Sequence, residues 1–384
     1  MDVRPGTPSL LRELNDRAAL DLLLAGEPLT RAQISERTGV SKVTVSQMLT
    51  RLEERGLVAV AGEQAGGRGP NAALYTVVPS SAYVAGLYVE YDLVSAAVAD
   101  VTGRQVAAVT VDPNGGADPV TLVRDAVSSA CSSAGVSLSE LASVVIGSPG
   151  VLDPRTGEPH RAVNLPAWHE GVLDGLRGVL HRPVTIENDV NLAALAERSS
   201  LGLDDFVMVW LGVGLGLASM ISGEVRRGVA GAAGELGWLP VHGAPLPSSV
   251  GHPGGAGFQY LAGGKAVREL AASFGFAAAT PGQAVTAAVR AGSAEFLDEL
   301  ANRVALGVAS VCVVLDPGLV VLGGEVGQAG GRELAARVAS RVAEICLAAP
   351  RVQPTGVPGE PVLRGAMLAA LAKARSALLA SVGS

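Results

Sequence analysis

The stretch Ser41-Lys42-Val43-Thr44-Val45-Ser46-Gln47-Met48-Leu49-Thr50-Arg51-Leu52 carries the most specific chemistry in the chain. Val45, Met48, Leu49 and Leu52 recur at i, i+3, i+4 and i+7, so one face of the implied helix is apolar. The other face shows Lys42, Thr44, Ser46, Gln47, Thr50 and Arg51. That set is short, hydrogen-bonding and mildly basic, as base-edge reading in a DNA major groove requires. Ser41 offers an N-cap, and Gly39 ends the helix pattern before it, which permits the sharp turn of a helix-turn-helix. An ordinary helical hairpin with a solvated face explains each feature singly, but not their coincidence. Ser41, Lys42, Thr44, Ser46, Gln47, Thr50 and Arg51 are therefore candidate DNA-binding residues. Lys42, Thr44, Gln47 and Arg51 come first for operator contact.

The elements around this helix follow from the same reading. Leu11, Leu14, Ala18 and Leu22 predict a first helix over about 9–25, ended by Gly26 and Pro28, and Thr30 can cap the next. Gly56 stops the recognition-helix pattern. Strands are expected at Leu57–Val60 and Leu74–Val78, joined through Gly66-Gly67-Arg68-Gly69-Pro70. Two strands with a glycine-rich tip after a recognition helix make a wing, and Arg68 at that tip could enter a minor groove or touch phosphate. Pro79-Ser80-Ser81 marks a boundary, giving a DNA-binding domain over 1–80 and a second domain over 81–384.

From Tyr83 the texture changes. Strands are expected at Val84–Val89, Val94–Ala99 and Val106–Val111, a helix at Pro119–Ala134, and a buried strand at Val144–Ile146. A short strand, Val184–Ile186, delivers Glu187, Asn188 and Asp189 to the start of a helix running to about Arg198. The pattern then restarts, with paired strands at Phe206–Gly212 and Leu217–Ile221 across a glycine-rich turn and a later strand at Leu319–Leu322. A duplicated α/β layout, with lobes of roughly 81–205 and 206–384, implies a ligand cleft between them.

Composition narrows the function classes. The 384 residues carry a net charge of -7, which argues against non-specific coating of nucleic acid. The first eighty residues hold nine basic and nine acidic side chains, so DNA contact must come from a local patch. Such a patch suits a specific reader working as a homodimer or homotetramer. Cys131, Cys312 and Cys346 are too few and too scattered for a disulfide framework or a zinc cluster, and fit inert thiols in a reducing cytoplasm. No signal peptide is visible, and the longest apolar stretch, Phe206–Ile221, is shorter than the roughly 20 residues a membrane span needs.

These motifs together resemble the ROK family of sugar kinases and sugar-responsive repressors, over nearly the whole chain. The resemblance implies a winged helix-turn-helix followed by a bilobal, actin-like and ribonuclease-H-like sugar-kinase fold. Asn164-Leu165-Pro166-Ala167-Trp168 looks like the family's Asn-Leu-Pro-Gly-Trp loop near the sugar, although it also reads as a turn pinned by a buried Trp. Glu187-Asn188-Asp189-Val190-Asn191 looks like the Glu-Asn-Asp-Ala-Asn segment that holds sugar hydroxyls. An amide beside a carboxylate suits a polyol, since Asn donates and accepts while Asp accepts twice. In the kinases the position of Asp189 is also the general base; at a helix start it could equally be a cap. Ala233-Gly234-Glu235-Leu236-Gly237-Trp238 looks like Ala-Gly-Glu-x-Gly-His, which makes Glu235 a further hydroxyl acceptor or, more plainly, a solvated loop carboxylate. The implied sugar-binding set is Asn164, Asn188, Asp189 and Glu235.

The departures from the family pattern are equally informative. Trp238 stands where the family has a zinc-binding His. The cysteine motif survives only as Gly251-His252-Pro253-Gly254-Gly255-Ala256-Gly257-Phe258-Gln259-Tyr260, with glycines kept and thiols gone. Zinc needs several thiolate or imidazole ligands at fixed spacing, so no metal is expected, and Trp238 and Phe258 are expected to fill that space. The Asp-x-Gly-Gly-Thr phosphate loop is replaced by Tyr88-Val89-Glu90-Tyr91-Asp92, which adds bulk and negative charge. The second phosphate loop, Gly212-Val213-Gly214-Leu215-Gly216, lacks its hydroxyl. Phosphoryl transfer depends on positioning and charge neutralisation, so no catalytic residue and no cofactor are expected. The expected function is a repressor-type regulator binding operator DNA and sensing a sugar. A regulator with a vestigial sugar site answering another ligand, and an active sugar kinase with a DNA-binding arm, are the alternatives.

Overall fold

The computed structural model describes residues 8–65, 71–90, 93–113, 118–161, 171–248 and 255–382. Helix α1 (Pro8–Leu24) leads through a two-residue strand β1 (Leu29–Thr30) into α2 (Arg31–Thr38) and α3 (Lys42–Glu54). Strands β2 (Val58–Gln64) and β3 (Ala72–Val77) complete a small antiparallel sheet of order β1-β3-β2. Its core gathers Leu20, Leu23, Ile34, Val45, Met48, Leu49, Leu52 and Tyr75. On α1 the buried face is not the expected one: Leu11 and Leu14 are 58% and 53% exposed, while Ala19, Leu20, Leu23 and Leu24 are buried. The helix carries two leucine stripes, and packing against α3 selects the second.

After a 3₁₀ turn at Pro79–Ser81 the chain forms β4 (Tyr83–Val89), β5 (Val94–Asp100), β6 (Gln105–Val111), α4 (Pro119–Ala134), β7 (Leu141–Ser148), the short hairpin β8 (Val151–Leu152) and β9 (Pro159–Arg161), α5 (Val172–Leu180), β10 (Val184–Asn188) and α6 (Asp189–Leu201). The five-stranded sheet runs β10-β7-β4-β5-β6, with β10, β7 and β4 parallel and β5 and β6 antiparallel. Then come β11 (Phe206–Leu211), β12 (Leu215–Ile221), β13 (Glu224–Val225), α7 (Gly257–Ala262), α8 (Gly264–Ser273), α9 (Pro281–Arg290), α10 (Ala294–Leu315), β14 (Leu319–Gly323), α11 (Gly324–Ile345), β15 (Arg351–Pro354) and α12 (Pro361–Ser381). Their sheet runs β13-β12-β11-β14-β15 with the same sense in each corresponding pair. The two sheets therefore repeat one topology: a central hairpin, then parallel strands added on one side. That repeat is the duplication expected from the strand pattern.

Helices α4 and α5 cover one face of the first sheet, and α7 to α11 cover the far face of the second. Between the sheets, Val84, Val145, Leu192, Ala193, Met208, Val321, Val362 and Ala366 form a shared layer. Helix α12 belongs to that layer. A lobe division at 205/206 assigns it to the second lobe, yet it packs on α6, β4 and β7 of the first. Its small apolar residues Val362, Ala366, Ala370 and Ala374 require that burial. Cys131 and Cys312 are buried, with both thiols pushed up to about 11 by burial. Among the described residues no helix is long and apolar enough to cross a membrane.

Candidate functional site

Side-chain caps fix the start of α2 and the start of the recognition helix α3. Thr30 and Gln33 form a reciprocal capping box at α2, and Gly39, at φ 73°, lets the chain turn out of it. Ser41 Oγ accepts from Thr44 N (3.2 Å) and shares a hydroxyl hydrogen bond with Thr44 Oγ1 (2.9 Å). Val45, Met48, Leu49 and Leu52 are fully buried, which turns Lys42, Gln47 and Thr50 outward. The Ser46 and Thr50 hydroxyls donate back to the carbonyls of Lys42 and Ser46, so what they offer outward is acceptor capacity. Val43 is 69% exposed on the same side. Apolar residues of this kind read thymine methyl groups, a role that the polar pattern of the helix does not signal.

Arg51 has another duty. Its Nε and Nη2 donate to the two carboxylate oxygens of Asp16 at 2.7 and 2.5 Å, fork to fork. This pair ties α3 to α1, and the hydrogen bond to Asp16 holds the guanidinium pKa above its ordinary value. Two nitrogens of the Arg51 guanidinium are thus engaged within the protein, while its side chain remains 33% exposed. Arg68 and the expected wing tip lie outside the described residues; the strands leading to it pair with a bulge between Val60 and Gly62.

A second site lies between the sheets, in a cleft of about 1920 Å³ bordered by Tyr88, Glu90, Asn188, Asp189, Glu235 and Trp238. Strand β10 ends at Asn188, the actual cap of α6: its Oδ1 accepts from Asn191 N (3.1 Å) and its Nδ2 donates to Gly150 O (3.2 Å). Asp189 is the first helical residue, only 8% exposed, with Oδ1 accepting from Val190 N at 2.8 Å. Burial pushes its carboxyl up to about 6, with Glu90 and Glu235 adding to the rise. Glu187 is occupied structurally, bonded by Arg227 at 2.8 and 2.6 Å and by Asn191 Nδ2 at 3.0 Å.

Glu235 reaches the cleft because Gly234 lies against β12. At φ 102°, a Cβ on Gly234 would sit 2.0 Å from Leu217 O, while Leu217 N donates to Gly234 O at 2.8 Å. Burial raises the Glu235 carboxyl above its ordinary value. The structure thus brings Asn188, Asp189 and Glu235 to one cleft. Asn164 and His252 lie outside the described residues.

Tyr88 lines the same cleft, and its hydroxyl donates to Glu90 Oε1 at 2.6 Å. Burial, and then the nearby Asp189 carboxylate, hold its phenol far above the usual range. The glycine turn between β11 and β12 is stitched by a residue the sequence reading missed. Gln259 Oε1 accepts from Leu215 N (3.0 Å), and Gln259 Nε2 donates to Val213 O (2.9 Å). An amide that could face an anion is thereby taken. Gly324, at the start of α11, is required by packing, since a Cβ there would fall 2.4 Å from Leu211 O. The described residues of the cysteine-motif register, 255–260, include no thiol or imidazole. Phe258 is fully buried against Gly307, and Trp238 is half-buried at the cleft. Neither side chain offers a metal donor.

The ROK family model matches residues 86–371. The chain belongs to the ROK family. A MarR family model matches residues 14–69, a span that contains α2 and α3. Among relatives of this ROK protein, the xylose repressor of Caldicellulosiruptor bescii is 26% identical over 245 residues, covering 62% of this chain and 61% of that repressor. The chain thus aligns with about three fifths of that relative's length. A glucokinase of Halalkalibacterium halodurans is 34% identical over 139 residues, 34% of this chain and 42% of the kinase. The crystal structure of a ROK family transcriptional regulator described as a homologue of the E. coli MLC protein superposes with a TM-score of 0.74. It covers 97% of this chain and 99% of its own at 16% identity, which shows the shared fold.

Proposed function

We propose that this ROK protein is a transcriptional regulator of the repressor type that senses a sugar or sugar derivative in the cleft without phosphorylating it. The observation that carries the second half is the Tyr88–Glu90 hydrogen bond beside Asp189. A bulky phenol and a carboxylate stand where the resemblance places a phosphate-cradling glycine loop, and Gln259 occupies an amide of the second loop. Both features oppose an anion. The regulator half is supported by the MarR-family match, the ordered recognition helix and the xylose-repressor relatives. Lys42, Thr44, Ser46, Gln47 and Thr50 then face operator DNA, with Ser41 as cap and Arg68 a further candidate contact. Two copies would read paired half-sites.

In the cleft, Asp189 and Glu235 accept hydrogen bonds from ligand hydroxyls. Asn188 shapes the site, since both ends of its amide are already bonded within the protein. Ligand affinity that differs between open and closed lobes would shift their populations and so the spacing of two recognition helices. The test is selection of duplexes from a random pool, followed by calorimetry with monosaccharides, amino sugars and sugar phosphates. Selection of a defined duplex and saturable binding of one such compound are expected; no duplex, or no binding by any of the panel, refutes the corresponding half.

One observation favours a kinase instead. A carboxyl near 6 is well tuned for a general base, and glucokinases are among the relatives. In that reading Asp189 takes the proton of a sugar hydroxyl, and ADP release in the presence of Mg-ATP would report it.

A further inference from the structure

We propose that α12 is the element that couples the cleft to the recognition helix, an inference that rests on the regulator reading above. At one end its N-cap residue Glu360 accepts from Ser95 Oγ on β5 at 2.5 Å. Glu360 is also close enough to raise the Tyr88 phenol further. Along its first turns α12 meets its neighbours without slack. A Cβ on Gly365 would lie 1.9 Å from Leu192 O of α6, three residues beyond Asp189. A Cβ on Gly86 of β4 would lie 2.7 Å from Met367 N, and one on Gly147 of β7 would lie 2.7 Å from Val362 Cγ1. Backbones this close cannot slide independently, so a shift of the first turn of α6 carries α12 with it.

At the other end α12 enters the DNA-binding unit. Arg375 donates to Val101 O through Nε and Nη2 at 3.0 and 2.9 Å, and to Thr102 O at 3.0 Å, in the turn between β5 and β6, whose Val101 side chain is buried in the core around α3. Leu378, Leu379 and Val382 pack into the same core as Met48, Leu49 and Leu52 of α3. Arg55, the C-cap residue of α3, donates from Nη2 to Ser381 O at 2.8 Å. One continuous helix of 21 residues, about 30 Å long, thus touches the ligand-bearing helix near its start and the recognition helix at its end. A ligand that moves α6 tilts α12 and moves the end of α3. By linkage, DNA that fixes α3 must restrain α6.

The reverse direction gives a test that needs no knowledge of the effector. Hydrogen exchange is followed by mass spectrometry on the full chain, free and saturated with a duplex selected from a random pool. The duplex slows exchange in 361–381 and in the first turns of α6 by about fivefold or more. In Arg375→Leu, which stays apolar and loses three hydrogen bonds, the duplex still binds but the α6 effect disappears. Arg55→Gln, an exposed substitution that cuts the bond to Ser381, abolishes it independently should Arg375→Leu fail to fold. Unchanged α6 exchange in the wild type, or α6 protection that persists in a variant that folds and binds the duplex, overturns the coupling while leaving the regulator reading intact. A chain that selects no duplex overturns both.

Discussion

Neutralising Asp189 should stabilise this protein at neutral pH. The carboxyl is held at about 6 against an ordinary 3.8, so the folded state binds its proton more tightly than the unfolded state does. The stabilisation linked to that proton is complete below 3.8 and lost as pH rises through 6, leaving a buried charge above it. A shift of about two units corresponds to about 3 kcal/mol. Asp189→Asn keeps an oxygen that can accept from Val190 N and removes the charge. It should therefore exceed wild type by about 3 kcal/mol at pH 8, by about half that at pH 5, and by less than about 1 kcal/mol at pH 4. Urea midpoints of the two proteins across that range measure it. A variant less stable than wild type at pH 8, or a difference that does not change with pH, would refute the assignment of a buried, desolvated charge. The same substitution should weaken any ligand whose hydroxyl Asp189 accepts, so stability and binding should move in opposite directions.

Three further outcomes follow from the geometry. Asp16→Ala, far from the outward face of α3, should lower operator affinity as Arg51→Ala does, and each should cost about 1–2 kcal/mol of stability because the partly exposed bidentate pair is lost. Equal affinities for wild type and Asp16→Ala in fluorescence anisotropy would return Arg51 to direct DNA contact. Gly234→Ala forces a Cβ against Leu217 O at a positive φ and should lower stability by about 2 kcal/mol or more in a urea titration. Val43→Ala should leave stability within about 0.5 kcal/mol yet relax duplex selection at one thymine position, read by sequencing the selected pool.

Much of the fold was legible because the signals were local. The buried positions of α3, the caps Thr30 and Ser41, the stop at Gly39 and the repeated strand hairpins all follow from spacings within one or two turns. What escaped was non-local. Asp16 reaches Arg51 across 35 positions, and Gln259 reaches Leu215 across 44. Nothing in either segment announces its partner. The seat of α12 on the first sheet was hidden for the same reason, since small residues at helical spacing state that a face is buried but not against what. The site's departures from the kinase pattern at Tyr88 and Glu90 could be read directly. The actual cap of α6, Asn188 in place of Asp189, turned on a one-residue boundary that pattern alone does not resolve.

The central claim is that a kinase-like cleft serves regulation without phosphoryl transfer, and coupled ADP release tests it most directly. The full chain is given Mg-ATP and a panel of monosaccharides and amino sugars. The account predicts no release above the sugar-free background for wild type and Asp189→Ala alike. Sustained sugar-dependent turnover in wild type that disappears in Asp189→Ala would contradict it.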